Sequence, residues 1–359
     1  MAERYPMKPP SILITSVGTL VGKVILDSLE GRRAGLRVVG CDAASEAISL
    51  PRCDQGEVVP LTDAPGWDDA ILALIQRESP FAVIPGRDGD VERLATLAER
   101  HPTLAAIFIG GSRAMAEVIG DKVRTAEFSF ARGLPFAATV SSDHPEAARL
   151  ARELVLRHGF PLIAKPRDGS GSLGVRILTE ARHLDGALRR PGMAIQPYLD
   201  PSGPIELPTD AGLPLFWEVT EDRLHGVHFI LGRDGKVLGR CGFRSRMVRG
   251  RCEELWACDD AVLLAVGDAF ATAAAEAGWR GPLNIQAKRD AEGRWQVIEL
   301  NGRFSGGTSS RRYFGFDEVR LVLNEWFGHP IIPTAHLTPV RRVVRQLADY
   351  PATNHPLPA

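Results

Sequence analysis

The residues with the clearest chemistry lie between Gln286 and Gly307, in the run Gln-Ala-Lys-Arg-Asp-Ala-Glu-Gly-Arg-Trp-Gln-Val-Ile-Glu-Leu-Asn-Gly-Arg-Phe-Ser-Gly-Gly. Glu299 offers a carboxylate, and Gln286 and Asn301 offer amide oxygens. These are hard donors suited to Mg²⁺, or Mn²⁺, beside phosphates. A hairpin has to position them. Residues 283–289 read as one strand, Asp290 to Gly293 as the turn, and residues 294–301 as the return strand. Closing the turn across Arg289 and Arg294 sets Lys288 opposite Trp295 and Gln286 opposite Val297. Side chains alternate faces and opposed residues share one, so Gln286, Glu299 and Asn301 fall on a common side. One loop residue more or fewer sends Gln286 to the other face. On these residues alone, an ordinary solvated hairpin explains the pattern equally well.

A second centre is residues 160–175, Phe-Pro-Leu-Ile-Ala-Lys-Pro-Arg-Asp-Gly-Ser-Gly-Ser-Leu-Gly-Val. An apolar strand delivers Lys165 to a loop carrying Gly169, Ser170, Gly171, Ser172 and Gly174, and residues 175–178 return as a strand. Glycines let the backbone approach a ligand and turn N–H groups toward it, which beside a lysine makes a phosphate cradle. A flexible surface hairpin is the plain alternative. The basic run from Arg244 to Arg251 is either a solvated face or a set of cations facing an anionic intermediate, with Arg244 and Arg246 the residues to inspect.

The elements around these centres alternate. A strand at residues 11–15, a glycine-containing turn with Gly18 and Gly22, a helix to about Leu29 and a strand at residues 37–40 make a βαβ opening. The turn is a poor match to either phosphate-loop spacing and reads as close helix–sheet packing. Helices at residues 67–78 and 91–100 and strands at 81–85 and 105–109 complete an open, mostly parallel sheet. The loops at Ser16, Asp42 and residues 87–90 lie where such sheets bind ligands. Two helices follow, broken at Gly120-Asp121-Lys122 with Asp121 as N-cap. A helix at 146–158, a strand at 193–199, a loop at 200–214, a hairpin at 226–240, an alanine-rich helix at 261–277 and a helix at 318–327 complete the pattern. The expected division is residues 1–112, 113–192, 193–330 and a proline-bearing tail at 331–359.

The 359 residues and their ordinary apolar and charged fractions describe a globular chain of two or three domains. A formal net charge of −1 gives no general attraction for nucleic acid or a membrane surface. No apolar run reaches membrane-span length and the first residues lack a signal-peptide core. The five cysteines include no Cys-x-x-Cys pair, so free thiols in a reducing, cytoplasmic setting are expected.

In sequence order, the strand-Lys-Pro, the Gly-Ser-Gly-Ser-x-Gly loop, Gln196-Pro197-Tyr198-Leu199 and the terminal Glu299-x-Asn301-x-Arg303 resemble the ATP-grasp enzymes over about residues 10–328. The pattern is most similar to carbamoyl phosphate synthetase large subunits and related carboxylate–amine ligases. That resemblance implies an α/β fold, with a Rossmann-like domain preceding two α+β lobes. It implies ATP contacts from Lys122, Lys165 and the 169–174 lid, adenine contacts from Gln196, Tyr198 and Leu199, and Mg²⁺ on Gln286, Glu299 and Asn301. Arg303 and Lys165 would face the transferred phosphoryl group, with Arg246 a further catalytic candidate. The implied reaction makes an acyl phosphate from a carboxylate and ATP, then an amide with an amine, on small amino-acid-like substrates. A homodimer is implied only at family level. Two departures stand out. Pro197 replaces the usual ribose-binding glutamate, leaving Asp200 or Glu206 as substitutes. The acidic second-lobe strand is replaced by residues 224–228, leaving Glu218 or Glu221. Formation of a carbamoyl or acyl phosphate without an amine, or ATP binding without catalysis, are the competing readings.

Overall fold

The computed structural model describes residues 9–169, 171–200, 221–248 and 250–346. Three sheets organise them. The first contains β1 (Ser11–Ile14), β2 (Arg37–Asp42), β3 (Gln55–Val58) and β4 (Ala82–Ile84), in the order β3-β2-β1-β4 and parallel throughout. Every residue of β1 is buried, as expected for a parallel strand covered on both faces. The helix Leu20–Leu29 starts at Thr19, whose hydroxyl accepts from the Gly22 N–H. A side chain at Gly22 would collide with the Val17 carbonyl oxygen, so the glycine permits the close helix–strand approach expected of this turn.

Residues 105–109 read as a strand in the sequence, but Pro102–Ile107 is helical. Proline suits the first helical turn, where its missing N–H is no loss, and it overrides a short apolar run with no clear period. Phe108 alone keeps a parallel bridge, to Val83.

The second sheet contains β5 (Val140–Ser141), β6 (Leu162–Pro166), β7 (Arg176–Leu178) and β8 (Met193–Pro197), ordered β5-β8-β6-β7 and antiparallel. β8 pairs with both β5 and β6, so a division at residue 192 cuts through this sheet. The sheet has its own small core, including Leu154, Leu162, Leu178, Leu184 and Ile195.

The third and largest sheet contains β9 (Glu221–Leu231), β10 (Val237–Val248), β11 (Arg251–Ala257), β12 (Gly281–Arg289), β13 (Trp295–Asn301) and β14 (Arg342–Val344), ordered β13-β12-β9-β10-β11-β14. One expectation changes here: residues 342–344, placed in a tail, pair with β11. The basic run, given no element in the sequence, runs from the last residues of β10, which ends at Val248, to the start of β11 at Arg251. The helix Ala261–Glu276, N-capped by Asp260, packs its small residues on this sheet, and a side chain at Gly267 would meet Val227 at 2.9 Å. Its core is continuous with that of the first sheet through Leu13, Val83, Phe108, Phe229, Trp279 and Leu283. Among the described residues, no helix is long and apolar enough to cross a membrane.

Candidate active site

The three sheets converge on a cavity of about 770 Å³, well within the usual range for small-ligand sites. Its floor is one face of the β12–β13 hairpin. The pairing differs from the simple alternation expected for this hairpin. Near the turn Arg289 opposes Trp295, Lys288 opposes Gln296 and Ala287 opposes Val297. A β-bulge then makes Ile298 an extra residue, after which Gln286 opposes Glu299 and Asn284 opposes Asn301. The register one residue off near the turn is therefore compensated, and Gln286, Glu299 and Asn301 all line the cavity. Asn284 and Lys288 share that face.

Lys165 arrives on β6 and Lys122 at the start of the helix Lys122–Phe130, whose Asp121 cap accepts from the Val123 and Arg124 N–H groups. Lys122 Nζ stands 3.6 Å from Glu299 Oε1, and Lys165 Nζ donates to Gln196 Oε1 at 3.1 Å. Burial, aided by the charges of Lys122 and Lys288 and opposed by Glu299, lowers the Lys165 ammonium to about 8. Crowded, desolvated ammonium groups of this kind are relieved by an incoming polyanion.

The lid meets Lys122 through the Gly169 carbonyl, which accepts from Nζ at 3.3 Å. Gly169, Gly171, Ser172 and Gly174 all have left-handed φ, of 96°, 68°, 60° and 74°. Such a run is glycine-dependent, and only Ser172 bears a side chain there. Gly169, Gly171 and Ser172 line the cavity, as do the neighbours of Gly174, Leu173 and Val175. Ser170, Glu206 and Glu218 lie outside the described residues.

Gln196, Tyr198 and Leu199 form the next wall. Lys288, missed in the sequence although it sits two residues from Gln286 on one strand, ties this wall down. Its ammonium donates to the Leu199 and Asp200 carbonyls at 2.7 and 3.0 Å and pairs with Glu221 Oε2 at 2.6 Å. Burial lowers its pKa against the pull of Glu221. Tyr198 rises to about 12 through burial and then the same carboxylate, to which its hydroxyl donates at 3.4 Å. Glu221, one of the acids considered as a substitute, thus borders the cavity, whereas Asp200 pairs with Arg223 at 2.6 Å.

Arg303 also lines the cavity. One terminal nitrogen pairs at 2.7 Å with Oδ2 of Asp88, the first residue of the helix Asp88–Ala98 after β4, and its buried Nε has no partner among the described residues. Arg246 does not line the cavity. Phe243, Ser245 and Met247 are the β10 residues that do, and strand alternation puts Arg246 on the opposite side, 3.3 Å from Glu254.

Among the described residues no cluster of three His, Cys, Asp or Glu side chains could hold a metal by itself. One carboxylate with two amides is not an all-protein cage. It fits Mg²⁺, which commonly takes one or two carboxylates and completes its shell with phosphate oxygens and water.

No family model matches the chain. In sequence it is 28% identical over 190 residues to the formate-dependent phosphoribosylglycinamide formyltransferase of Synechococcus sp. (strain CC9605), covering 51% of this chain and 43% of that protein. It is 27% identical over 288 residues to the D-alanine–D-alanine ligase of Alcanivorax borkumensis, covering 78% of this chain and 83% of the ligase. The chain thus spans less than half the length of the first of these relatives. Its structure matches that of N5-carboxyaminoimidazole ribonucleotide synthetase from Thermus thermophilus with a TM-score of 0.68 and 18% identity, over 95% and 84% of the two chains.

The fold is therefore the ATP-grasp fold, a parallel N-terminal α/β sheet followed by antiparallel sheets. The chain is a distant homologue of ATP-grasp enzymes. Solved structures of this fold include complexes with ADP and with MgADP.

Proposed function

We propose that this chain is an ATP-dependent carboxylate–amine ligase that releases ADP and phosphate. One observation carries the reading: two buried lysines, the glycine lid, the Gln286–Glu299–Asn301 face and Arg303 all border a single cavity. Lys122, Lys165 and the lid N–H groups would hold the phosphates of ATP, with Gln196, Tyr198 and Leu199 beside the adenine. Gln286, Glu299 and Asn301 would hold Mg²⁺, which neutralises phosphate charge. The likeness to carbamoyl phosphate synthetase-type ligases rests on this Gln and Glu-x-Asn-x-Arg set.

Catalysis here is positioning and charge compensation. A carboxylate oxygen attacks the γ-phosphorus and the bond to the bridging oxygen of ADP breaks. Two anions must approach for this, and Lys165 and Arg303 offset their repulsion. The amine nitrogen then attacks the acyl carbon, phosphate departs, and the amine loses a proton to give the amide.

The test measures ADP and phosphate release across a matrix of amino acids and amines. Release that requires both an acid and an amine is expected. Release with an acid alone would replace the reading by acyl-phosphate formation, and ATP binding without release under any pairing would overturn both. Glu299→Gln should fold normally and lose on the order of 100-fold in Mg²⁺-dependent turnover, consistent with removal of a few kcal/mol of charge stabilisation. An unchanged rate would reject the metal face.

A further inference from the structure

The ligase reading leaves one buried guanidinium unused. Arg311 closes the short helix Thr308–Arg311, is 1% exposed, and still borders the cavity. Its Nε donates to Glu318 Oε1, and one terminal nitrogen donates to Ser305 Oγ at 2.8 Å. Its other terminal nitrogen, Nη1, has no hydrogen-bond partner among the described residues. A Cβ built on Gly307 would lie 2.7 Å from that Nη1 and 3.1 Å from Leu255 Cδ2. The glycine therefore leaves a gap between the guanidinium edge and an apolar wall. Gly307 has φ −91°, a conformation open to any residue, so backbone strain does not require a glycine there.

The guanidinium is held for this position. Glu318 is fully buried, also accepts from Thr308 Oγ1 at 2.7 Å, and lies 3.1 Å from His228 Nε2. Buried ion pairs add little net stability, and their best-supported use is to fix geometry. The neighbouring surface is apolar. Phe243 lies under the guanidinium at 5.2 Å, and Leu20, 44% exposed on the first turn of its helix, faces the cavity beside Gly306. An N–H edge next to leucine and phenylalanine side chains matches a carboxylate joined to an apolar group.

We propose that Arg311 anchors a substrate carboxylate and that Leu20, Phe243 and Leu255 select an apolar substituent, so the substrate class is an apolar amino acid. This rests on the ligase reading for its chemistry but not for its binding. Glu318 is a positioning residue in this scheme, acting only through Arg311.

The test pairs calorimetry in the presence of Mg²⁺ and ADP with ADP-release kinetics, using the twenty L-amino acids together with L-leucinamide. Leucine, methionine or phenylalanine should bind and turn over with KM at least tenfold below that of aspartate, glutamate or lysine, and leucinamide should fail. Gly307→Ala, which covers the guanidinium edge, should raise the amino-acid KM at least tenfold while leaving the KM for ATP unchanged. Leu20→Arg should shift the preference at least tenfold toward acidic amino acids. Turnover that favours charged amino acids, or that ignores both substitutions, would overturn the assignment and leave the ligase reading standing. Tight binding of apolar amino acids without ADP release would do the reverse. Absence of both binding and turnover would overturn both.

Discussion

Replacing Lys165 by methionine separates what the cavity does from what it costs. Burial moves this ammonium from 10.5 to about 8, which at about 1.4 kcal/mol per unit is a penalty of about 3 kcal/mol for holding it charged. Methionine removes the penalty but leaves Gln196 Oε1, now 3.1 Å from the ammonium, without its donor. That loss costs about 1–2 kcal/mol. The ligand-free variant should therefore be about 1–2 kcal/mol more stable than the parent at pH 7, while its ATP affinity falls on the order of 10–100-fold, the loss of a charge-assisted hydrogen bond. The pH dependence gives a sharper criterion. The unfolded lysine keeps its proton to about 10.5, whereas the folded one releases it near 8. Between these values the unfolded state binds more protons, so parental stability rises with pH and the advantage of the variant shrinks. Below pH 8 the advantage is fully present. Denaturant titrations at pH 7 and pH 10, with calorimetry for ATP, make the measurement. A variant less stable than the parent at pH 7, or a stability gap that does not change with pH, would refute the reasoning.

Other outcomes follow from the same geometry. Gln286→Glu places a second carboxylate opposite Glu299, so the Mg²⁺ concentration for half-maximal turnover should fall several-fold. A higher requirement would remove Gln286 from the metal face. Glu318→Gln leaves Arg311 buried without its counter-charge, at a cost of about 3–5 kcal/mol in equilibrium unfolding. Burial alone would raise the Glu318 carboxyl, but Arg311 and His228 outweigh it and hold it at about 2. Its stabilisation is present above about pH 4.5 and lost as pH falls toward 2. The variant should lack that slope, and a parallel acid titration would count against the ion cluster.

The cavity-lining groups are legible in the sequence where chemistry and spacing act together. Lys165 beside its glycines, and Glu299-x-Asn301-x-Arg303 at the end of a strand, border one cavity. The sequence is silent where long-range packing decides. Near the turn the hairpin pairs one residue off the expected register, and the bulge at Ile298 that brings Glu299 and Asn301 back to the face of Gln286 leaves no local signal in a run of alternating residues. Arg246 looks like Arg303 in the chain, but strand parity turns it toward Glu254. Nothing in the chain singles out Arg311 or Glu318, and only the burial of both reveals an internal pair. The residues 342–344 strand depends on an open edge at β11, which composition does not disclose.

The extra residue in β13 also separates two jobs in one hairpin. On the turn side, Trp295 and Val297 are buried against helices that carry Met115, Ala116 and Phe128. On the cavity side, Glu299 and Asn301 face the site. The unpaired Ile298 acts as an expansion joint between these segments. The bulge lets the turn side keep the register of the core while Glu299 and Asn301 keep the register of the cavity. Deleting Ile298 would remove the joint and reverse Glu299 and Asn301 relative to the packed half. The fold would then have to choose between its core and its chemistry.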